Sequence, residues 1–232
     1  MSVCQSVDSA VACPKAAVVD DESQIRESFQ ATYPRLEVVG LYDSVPSLLA
    51  SKPPADFIVL DLKLKKNQDE RILQGTKAVK ELSLQGYRVC VYTDEWRPLV
   101  LARCFSAGAR GLVHKSDSVN DNQAAFLRVA TGQIVVPRSM VGLAEILNRR
   151  KVLPSLTSRQ TEVLSARARG EGWAALSNRL GISEKTAQGH LDAVMSKMVL
   201  FLRETGLNPS ASPADIERTL GLAPGDLDDP WG

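Results

Sequence analysis

Short apolar runs recur through the first half of the chain, and each ends on a residue that can do chemistry. Ala16-Ala17-Val18-Val19 runs into Asp20-Asp21, Phe57-Ile58-Val59-Leu60 into Asp61, and Val89-Cys90-Val91-Tyr92 into Thr93, while Gly111 to His114 runs into Lys115. Uninterrupted runs of this length suit strands buried on both faces, as in a parallel sheet. Leu36 to Leu41 reads as one more strand, second in chain order. Helical spacing fills the gaps. Glu22 to Thr32 has Ile25 and Phe29 four apart, with Asp21 placed to cap it. Val45 to Ala50 is stopped by Pro53-Pro54. Thr76 to Leu84, Pro98 to Ala107 with Gly108 as its C-cap, and Asn120 to Ala130 complete the set. Five strands alternating with five helices predict a parallel sheet covered on both faces. The connection from Leu62 to Gln74 is long, polar and charged.

After Ala130 the period changes. Thr131 to Val152 reads as a connector, loop-like over Gly132 to Pro137 and helical in spacing over Met140 to Leu147, closed by Arg149-Arg150-Lys151. Residues 153 to 203 are expected to hold four helices. Thr157-Ser158-Arg159-Gln160 is a capping box that opens the first, through Val163 and Leu164. Trp173 to Leu180 is the second. Gly181-Ile182-Ser183 makes a tight turn with an N-cap, and Glu184 to Met198 is the third, with Ala187, Leu191, Val194 and Met198 in one stripe. Met198 to Thr205 is more apolar than a solvated helix end, which fits either an exposed dimerising face or packing on the bundle. Helix, short turn with glycine, helix is the helix-turn-helix pattern, whose second helix enters the major groove. Pro213 to Leu220 is expected to form one further helix, and Leu222 to Gly232 is acidic. The expected organisation is a flexible leader over 1–14, an α/β domain over 15–130, a linker over 131–152, an all-α domain over 153–205 and a tail over 206–232.

Charge sharpens this division. The net charge is only +1. Yet Arg149 to Glu204 carries ten Lys/Arg against five Asp/Glu, and Thr205 to Gly232 one against five. A basic block beside a neutral and an acidic one is compatible with a nucleic-acid-binding module, or with an ordinary solvated surface. Hydrophobic residues make up 44% of the chain, enough for real cores. No apolar run approaches the roughly 18 residues of a membrane span, and Met1 to Pro14 has no basic residue, unlike a signal peptide. Four cysteines without CxxC spacing point to a reduced, cytoplasmic protein with no metal framework built on thiols.

In an open parallel sheet the strand ends converge on one edge, where ligands bind. Asp20, Asp21, Asp61, Thr93 and Lys115 would meet there. Three close carboxylates repel one another and call for a cation, and ligands that are all oxygen favour a hard ion, Mg²⁺ over Zn²⁺. A lysine and a threonine hydroxyl suit phosphate oxygens, and an ionised aspartate can itself accept a phosphoryl group.

These residues, in this order, resemble a response-regulator receiver domain, a flavodoxin-like (βα)5 fold phosphorylated on aspartate by a sensor histidine kinase. The resemblance covers about residues 15 to 130. It implies that Asp61 is the acceptor and that Asp20, Asp21, Asp61 and the backbone carbonyl of Lys63 bind Mg²⁺. It also implies that Thr93 and Lys115 contact the phosphoryl oxygens. This chain departs from the pattern in several places. Lys65 stands where receivers usually have proline, and the loop from Leu62 to Gln74 is longer than usual. Asp94 and Glu95 follow the hydroxyl where a small residue is usual, and Leu112 occupies the position of the switch aromatic. A phosphoryl group brings about −1.5 to −2 charges, so Asp94 would oppose it unless Lys63, Lys65 or Lys66 compensates.

Leu156-Thr157-Ser158-Arg159-Gln160-Thr161-Glu162-Val163-Leu164, followed by Leu180-Gly181-Ile182-Ser183-Glu184-Lys185-Thr186-Ala187-Gln188-Gly189-His190, resembles the LuxR-type output domain of NarL/FixJ-type regulators. By position that resemblance directs Gln188, Gly189 and Asp192 to base edges and Arg159, Lys185, Thr186 and Lys197 to phosphates. Gln188 stands where the family usually has lysine; glutamine can pair bidentately with adenine, and aspartate can accept from cytosine. His190 is read as structural rather than as a metal ligand, and Trp173 as a core or helix contact. The expected protein is therefore no enzyme but a cytoplasmic transcription regulator. It would bind double-stranded DNA as a homodimer, with no membrane partner, controlled by phosphorylation of Asp61. The alternative is a pseudo-receiver whose DNA binding follows a partner or ligand independently of phosphorylation. A more distant one is a signalling module whose basic domain docks protein.

Overall fold

In a computed structural model, which describes residues 13–64, 73–208, 211–223 and 225, the chain forms two compact units. One runs up to Glu95 and again over Ala107–Val135. The other comprises Trp96–Ser106 and everything described from Val136 onward.

The first unit holds a five-stranded parallel sheet: β1 (Lys15–Val19), β2 (Glu37–Tyr42), β3 (Phe57–Leu60), β4 (Val89–Thr93) and β5 (Gly111–His114). The strand order is β2-β1-β3-β4-β5, the flavodoxin-like order. Helices α1 (Ser23–Thr32), α2 (Val45–Ser51), α3 (Gly75–Leu84) and α5 (Val119–Ala130) belong with it. Strands β1, β3, β4 and β5 are buried along almost their whole length. This is why they read as continuous apolar runs rather than as alternation. One face gathers Ala16, Val18, Phe57, Val59, Cys90, Tyr92 and Val113 against Phe29 and Tyr33 from α1 and its end and Phe126 and Val129 from α5. Pleating sends Ala17, Val19, Ile58, Leu60, Val91 and Leu112 to the other face, and these too are buried. The segment after α5 runs along β5, with the Val135 amide donating to the Arg110 carbonyl and the Leu112 amide to the Val135 carbonyl, each at 3.0 Å.

Two local expectations need correction. The second strand starts at Glu37, one residue later than Leu36, which is buried at the turn instead. Asp21 does not cap α1. The cap position falls on Glu22, whose side chain makes no cap bond, and the Glu22 amide donates to Asp20 Oδ1 at 2.9 Å.

The second unit is helical: α6 (Val141–Arg149), α7 (Ser158–Ala168), α8 (Trp173–Leu180), α9 (Glu184–Thr205) and α10 (Pro213–Thr219). The capping box at Thr157 is formed with Gln160, and Ser212 forms another with Asp215. Gly181 ends α8 in the left-handed region (φ +63°), which lets the chain turn sharply into Ser183 and α9. The expectation of four helices over 153–203 is corrected to three. No glycine or proline interrupts α9 after Gly189, so it continues for 22 residues until Gly206 (φ +60°) terminates it. The apolar stretch after Met198 is the last two turns of that helix. Val199 and Leu202 are buried, and only Leu200 stands well exposed.

Helix α4 (Pro98–Ser106) lies between β4 and β5 in the chain but belongs to the helical unit. It packs against α9. The Arg203 guanidinium donates to the Phe105 carbonyl, the Leu207 amide donates to Ser106 Oγ at 2.8 Å, and Arg103 donates to the Ala211 carbonyl.

Candidate functional site

Register brings the strand tips together. Val19 is paired with Leu60, Leu60 with Val91, and Thr93 with His114. Strands β1 and β3 end level with Val91, and β4 and β5 run two residues further, to Thr93 and His114, so the carboxyl ends of all four lie along one edge. The Asp61 amide donates to the Val19 carbonyl (2.8 Å) and the Lys115 amide to the Thr93 carbonyl (3.0 Å), which extends the ladder one residue past the strands.

Asp20, Asp21 and Asp61 each present a carboxylate oxygen, and these lie within 4.8 Å of one another. All three side chains are buried. The Lys115 ammonium donates to Asp20 Oδ2 at 2.9 Å and lies 3.1 Å from Asp61 Oδ2. The amide of Lys63 donates to Asp61 Oδ1 at 3.3 Å, which turns the chain sharply just past Asp61. Arg26 donates to the Asp20 carbonyl at 2.5 Å. Thr93 is fully buried, and its hydroxyl oxygen accepts from the Glu95 amide at 3.1 Å.

Burial raises the Asp61 carboxyl above the ordinary aspartate range; Lys115 opposes this and Asp20 adds to it. Lys115 feels the opposite balance. Burial disfavours its charge, but the bonds and charges of Asp20 and Asp61 outweigh that and hold its ammonium protonated more firmly than usual. An ammonium already bridges two of the three carboxylates, so the electrostatic problem posed by the acidic cluster is partly solved within the protein. The donors are all carboxylate oxygens, so the cluster suits a hard divalent ion.

Of the departures noted in the sequence, Lys65 and Lys66 lie outside the described residues. The Lys63 ammonium lies 3.5 Å from Glu95 Oε2, and Asp94 is exposed. Leu112 is fully buried in β5. Sequence reasoning missed two residues. Glu95 links Lys63 to the Thr93 hydroxyl. Tyr92 places its ring under Lys115, with the ammonium 5.6 Å from the ring centre. The signal for Tyr92 was present, since it adjoins Thr93 and points to the opposite face.

In the helical unit, Ser183 Oγ accepts from the Thr186 amide at 3.0 Å and starts α9. Lys185, Thr186, Gln188, Gly189 and Asp192 all lie on exposed positions of the first turns of α9, while Ala187 and Leu191 face inward. His190 is half-buried. Arg159 pairs with Glu162 at 2.8 Å within α7. The Lys197 ammonium is engaged elsewhere: it donates to the Ser155 carbonyl (2.7 Å) and to Gln160 Oε1 (3.1 Å), tying α9 to the start of α7. Trp173 is half-buried beneath the Arg167 guanidinium, 4.3 Å from its ring centre. Arg179 grips Glu171 with two bonds, 2.9 and 2.7 Å.

Residues 154–201 match the model of the family described as bacterial regulatory proteins, luxR family. Over 191 residues the chain is 27% identical to a putative transcriptional regulator of Pseudomonas aeruginosa, covering 79% of this chain and 90% of the relative. It is 26% identical over 193 residues to the response regulator protein VraR of Staphylococcus aureus, with coverage of 79% and 90%. Among solved structures, one of two RcsB dimers bound to two parallel DNAs is similar in fold, with a TM-score of 0.51 and 19% identity, covering 84% of this chain and 99% of that one. The chain thus pairs a flavodoxin-like α/β unit with a helical unit in which residues 154–201 match the luxR-family model, and its fold as a whole is similar to that of the RcsB structure.

Proposed function

We propose that this protein is a DNA-binding transcription regulator, switched by a phosphoryl group on Asp61 and acting as a homodimer in the cytoplasm. The observation that carries this reading is the meeting of Asp20, Asp21, Asp61 and Lys115 at one sheet edge. A carboxylate oxygen of Asp61 forms a bond to phosphorus while the bond from phosphorus to the donor, a sensor kinase phosphohistidine or a small acyl phosphate, breaks. The donor's leaving group takes the electron pair. Asp20, Asp21 and Asp61, with the Lys63 carbonyl, would hold Mg²⁺, which when bound supplies positive charge to the phosphoryl oxygens. Lys115 gives up its contact with Asp61 to a phosphoryl oxygen, and the Thr93 hydroxyl turns from the Glu95 amide towards the same group. The protein's chemistry on this reading is limited to gaining and losing its own phosphoryl group.

The exposed face of α9 supports major-groove binding, with Gln188, Gly189 and Asp192 at base edges and Lys185, Thr186 and Arg159 at phosphates. Lys197 reaches a phosphate only by leaving Ser155. Dimerisation is supported by the dimers named for the RcsB structure. No helix among the described residues is long and apolar enough to cross a membrane.

A second reading, a receiver that is not switched by phosphate, is favoured by the carboxylates of Asp94 and Glu95 just past Thr93. Incubation with Mg²⁺ and acetyl phosphate, read by intact mass and size-exclusion chromatography, separates the two. Phosphorylation predicts a mass gain lost in Asp61→Asn and a shift towards dimer. Unchanged mass with undiminished DNA retention favours the second reading. On DNA, Lys185→Ala should lower the slope of log affinity against log salt by about 0.9.

A further inference from the structure

A receiver-like site needs its lysine held still. A lysine side chain is a flexible stem bearing a point charge, and the Lys115 ammonium must lie where Asp61 and an incoming phosphoryl group can both use it. Two of its contacts are to Asp20 and Asp61. The third is to the Tyr92 ring.

That ring is held by a hydrogen bond and by three neighbouring rings. Its hydroxyl is hydrogen-bonded to the Tyr33 hydroxyl at 3.0 Å, a buried pair that joins β4 to the end of α1. Around it stand Phe29, Tyr33 and Phe126, each edge-on or nearly so, with ring centres 6.3, 6.4 and 5.8 Å away. Such edge-to-face contacts resist rotation of the ring. Tyr92 therefore offers a stationary, electron-rich face on one side of Lys115, while the carboxylates hold the other. Its place in the strand explains how. Tyr92 precedes Thr93 in β4, so pleating sends the two side chains to opposite faces. The hydroxyl and the ring then bracket the same sheet edge. Leu112 carries no ring in the neighbouring strand, so an aromatic next to the site comes from Tyr92 instead.

We propose that Tyr92 is a positioning residue for phosphoryl acceptance, its ring face holding the Lys115 ammonium against Asp61. This rests on the reading of Asp61 as the acceptor. A cation held over a ring in a largely buried site gives a rate effect of about threefold to thirtyfold. The role is distinct from core packing, because it acts through one other side chain and requires a π face rather than bulk.

The test follows phosphorylation of the full chain by acetyl phosphate with Mg²⁺, timed by intact mass. Tyr92→Leu should slow incorporation by that factor, and Tyr92→Phe, which keeps the ring face and loses only the bond to Tyr33, should restore it. In a Lys115→Met background the leucine variant should bring no further loss. Equal rates for the leucine and phenylalanine variants, or an equal loss with and without Lys115, would overturn the proposal. A second measurement needs no variant and no phosphoryl transfer. The ε-methylene protons of Lys115 should resonate upfield of an ordinary lysine because of the ring current, and their absence from that position would also overturn it. A wild-type chain that takes no phosphoryl group while showing the upfield resonance overturns the acceptor reading and the rate effect together. The lysine seat would then survive as a structural contact alone.

Discussion

The carboxyl edge of the sheet and the pairing of α4 with α9 are built on opposite physics. At the sheet edge, charges are concentrated: three buried carboxylates within 4.8 Å of one another, two of them bonded to one ammonium. Between α4 and α9, apolar side chains such as Leu101, Phe105, Val199 and Leu202 are buried, and main-chain carbonyls or amides meet Arg103, Arg203 and Ser106. The first arrangement is poised, since each charge depends on its neighbours and an added ion or phosphoryl group redistributes them. The second is rigid, since dispersion and burial do not redistribute. The proposed switch needs both: a place where small charge changes matter, and an element that holds its partner firmly.

The largest effect should come from breaking the rigid region. Phe105→Ala removes a fully buried ring from α4, a change that costs about 3–5 kcal/mol. Because α4 belongs to the helical unit, hydrogen exchange should quicken at Val199 to Leu202 of α9, while the amides of β1 and β3 keep their protection. Faster exchange in β3 with α9 unchanged would put α4 with the sheet and break the comparison.

The charged edge should respond less and in a different way. Lys115→Met strands Asp20 and Asp61 without their ammonium, and losing hydrogen bonds to charged groups costs about 1.5–3 kcal/mol. Urea unfolding in a chelator should show that loss, and millimolar Mg²⁺ should return much of it if the carboxylates accept a divalent ion. The Phe105→Ala loss should be indifferent to Mg²⁺. A Lys115→Met loss equally indifferent would count against a cation at these carboxylates.

The same contrast explains what the chain disclosed in advance. Asp20, Asp61, Thr93 and Lys115 were legible because each follows a short apolar run, and a parallel sheet sends all such ends to one edge. Asp21 was read in two ways, as a helix cap and as a site carboxylate: it makes no cap for α1, and its carboxylate lies with those of Asp20 and Asp61. The membership of α4 was not legible. Its spacing predicts a helix between two strands, but which surface it packs on is settled by residues around a hundred positions later, such as Arg203 and Leu207. The occupation of Lys197 by Ser155 and the ring under Lys115 are likewise long-range, and no local pattern announces them. The extent of α9 is written in the chain. The first helix breaker after Gly189 is Gly206, and the expected stop at Met198 had none.

A smaller effect sharpens the helical side. Ser183 caps α9 with its side-chain oxygen on the Thr186 amide, and Ser183→Ala should cost about 1 kcal/mol. The loss should be confined to fraying of the first turn, where Lys185, Thr186 and Gln188 lie, because Ala187, Leu191 and Val194 remain buried behind it. DNA retention should therefore weaken more than the thermal midpoint falls. A drop in midpoint as large as that of Phe105→Ala would mean that the cap, and not the packing on α4, anchors the helix.

The smallest effect returns to the sheet, one residue before Lys115. His114 is buried, and burial holds its imidazole below the ordinary histidine range, with the charges of Asp117, Asp94 and Glu95 working the other way. A group whose folded value is depressed contributes stability above its unfolded value of about 6.5, and loses that contribution as the pH falls through the folded one. Wild-type stability should thus decline from neutral pH towards mildly acidic pH by more than that of His114→Gln, which has no proton to take up there. Urea midpoints at matched ionic strength measure the difference. Lys115 contributes with the opposite sign and far from this range: its raised value adds stability that is lost only as alkaline pH strips the ammonium. The two neighbours therefore separate cleanly. An acid-side decline that survives in His114→Gln would have to come from the carboxylates. Asp61 is excluded, because its raised value makes protonation favourable to folding, not costly.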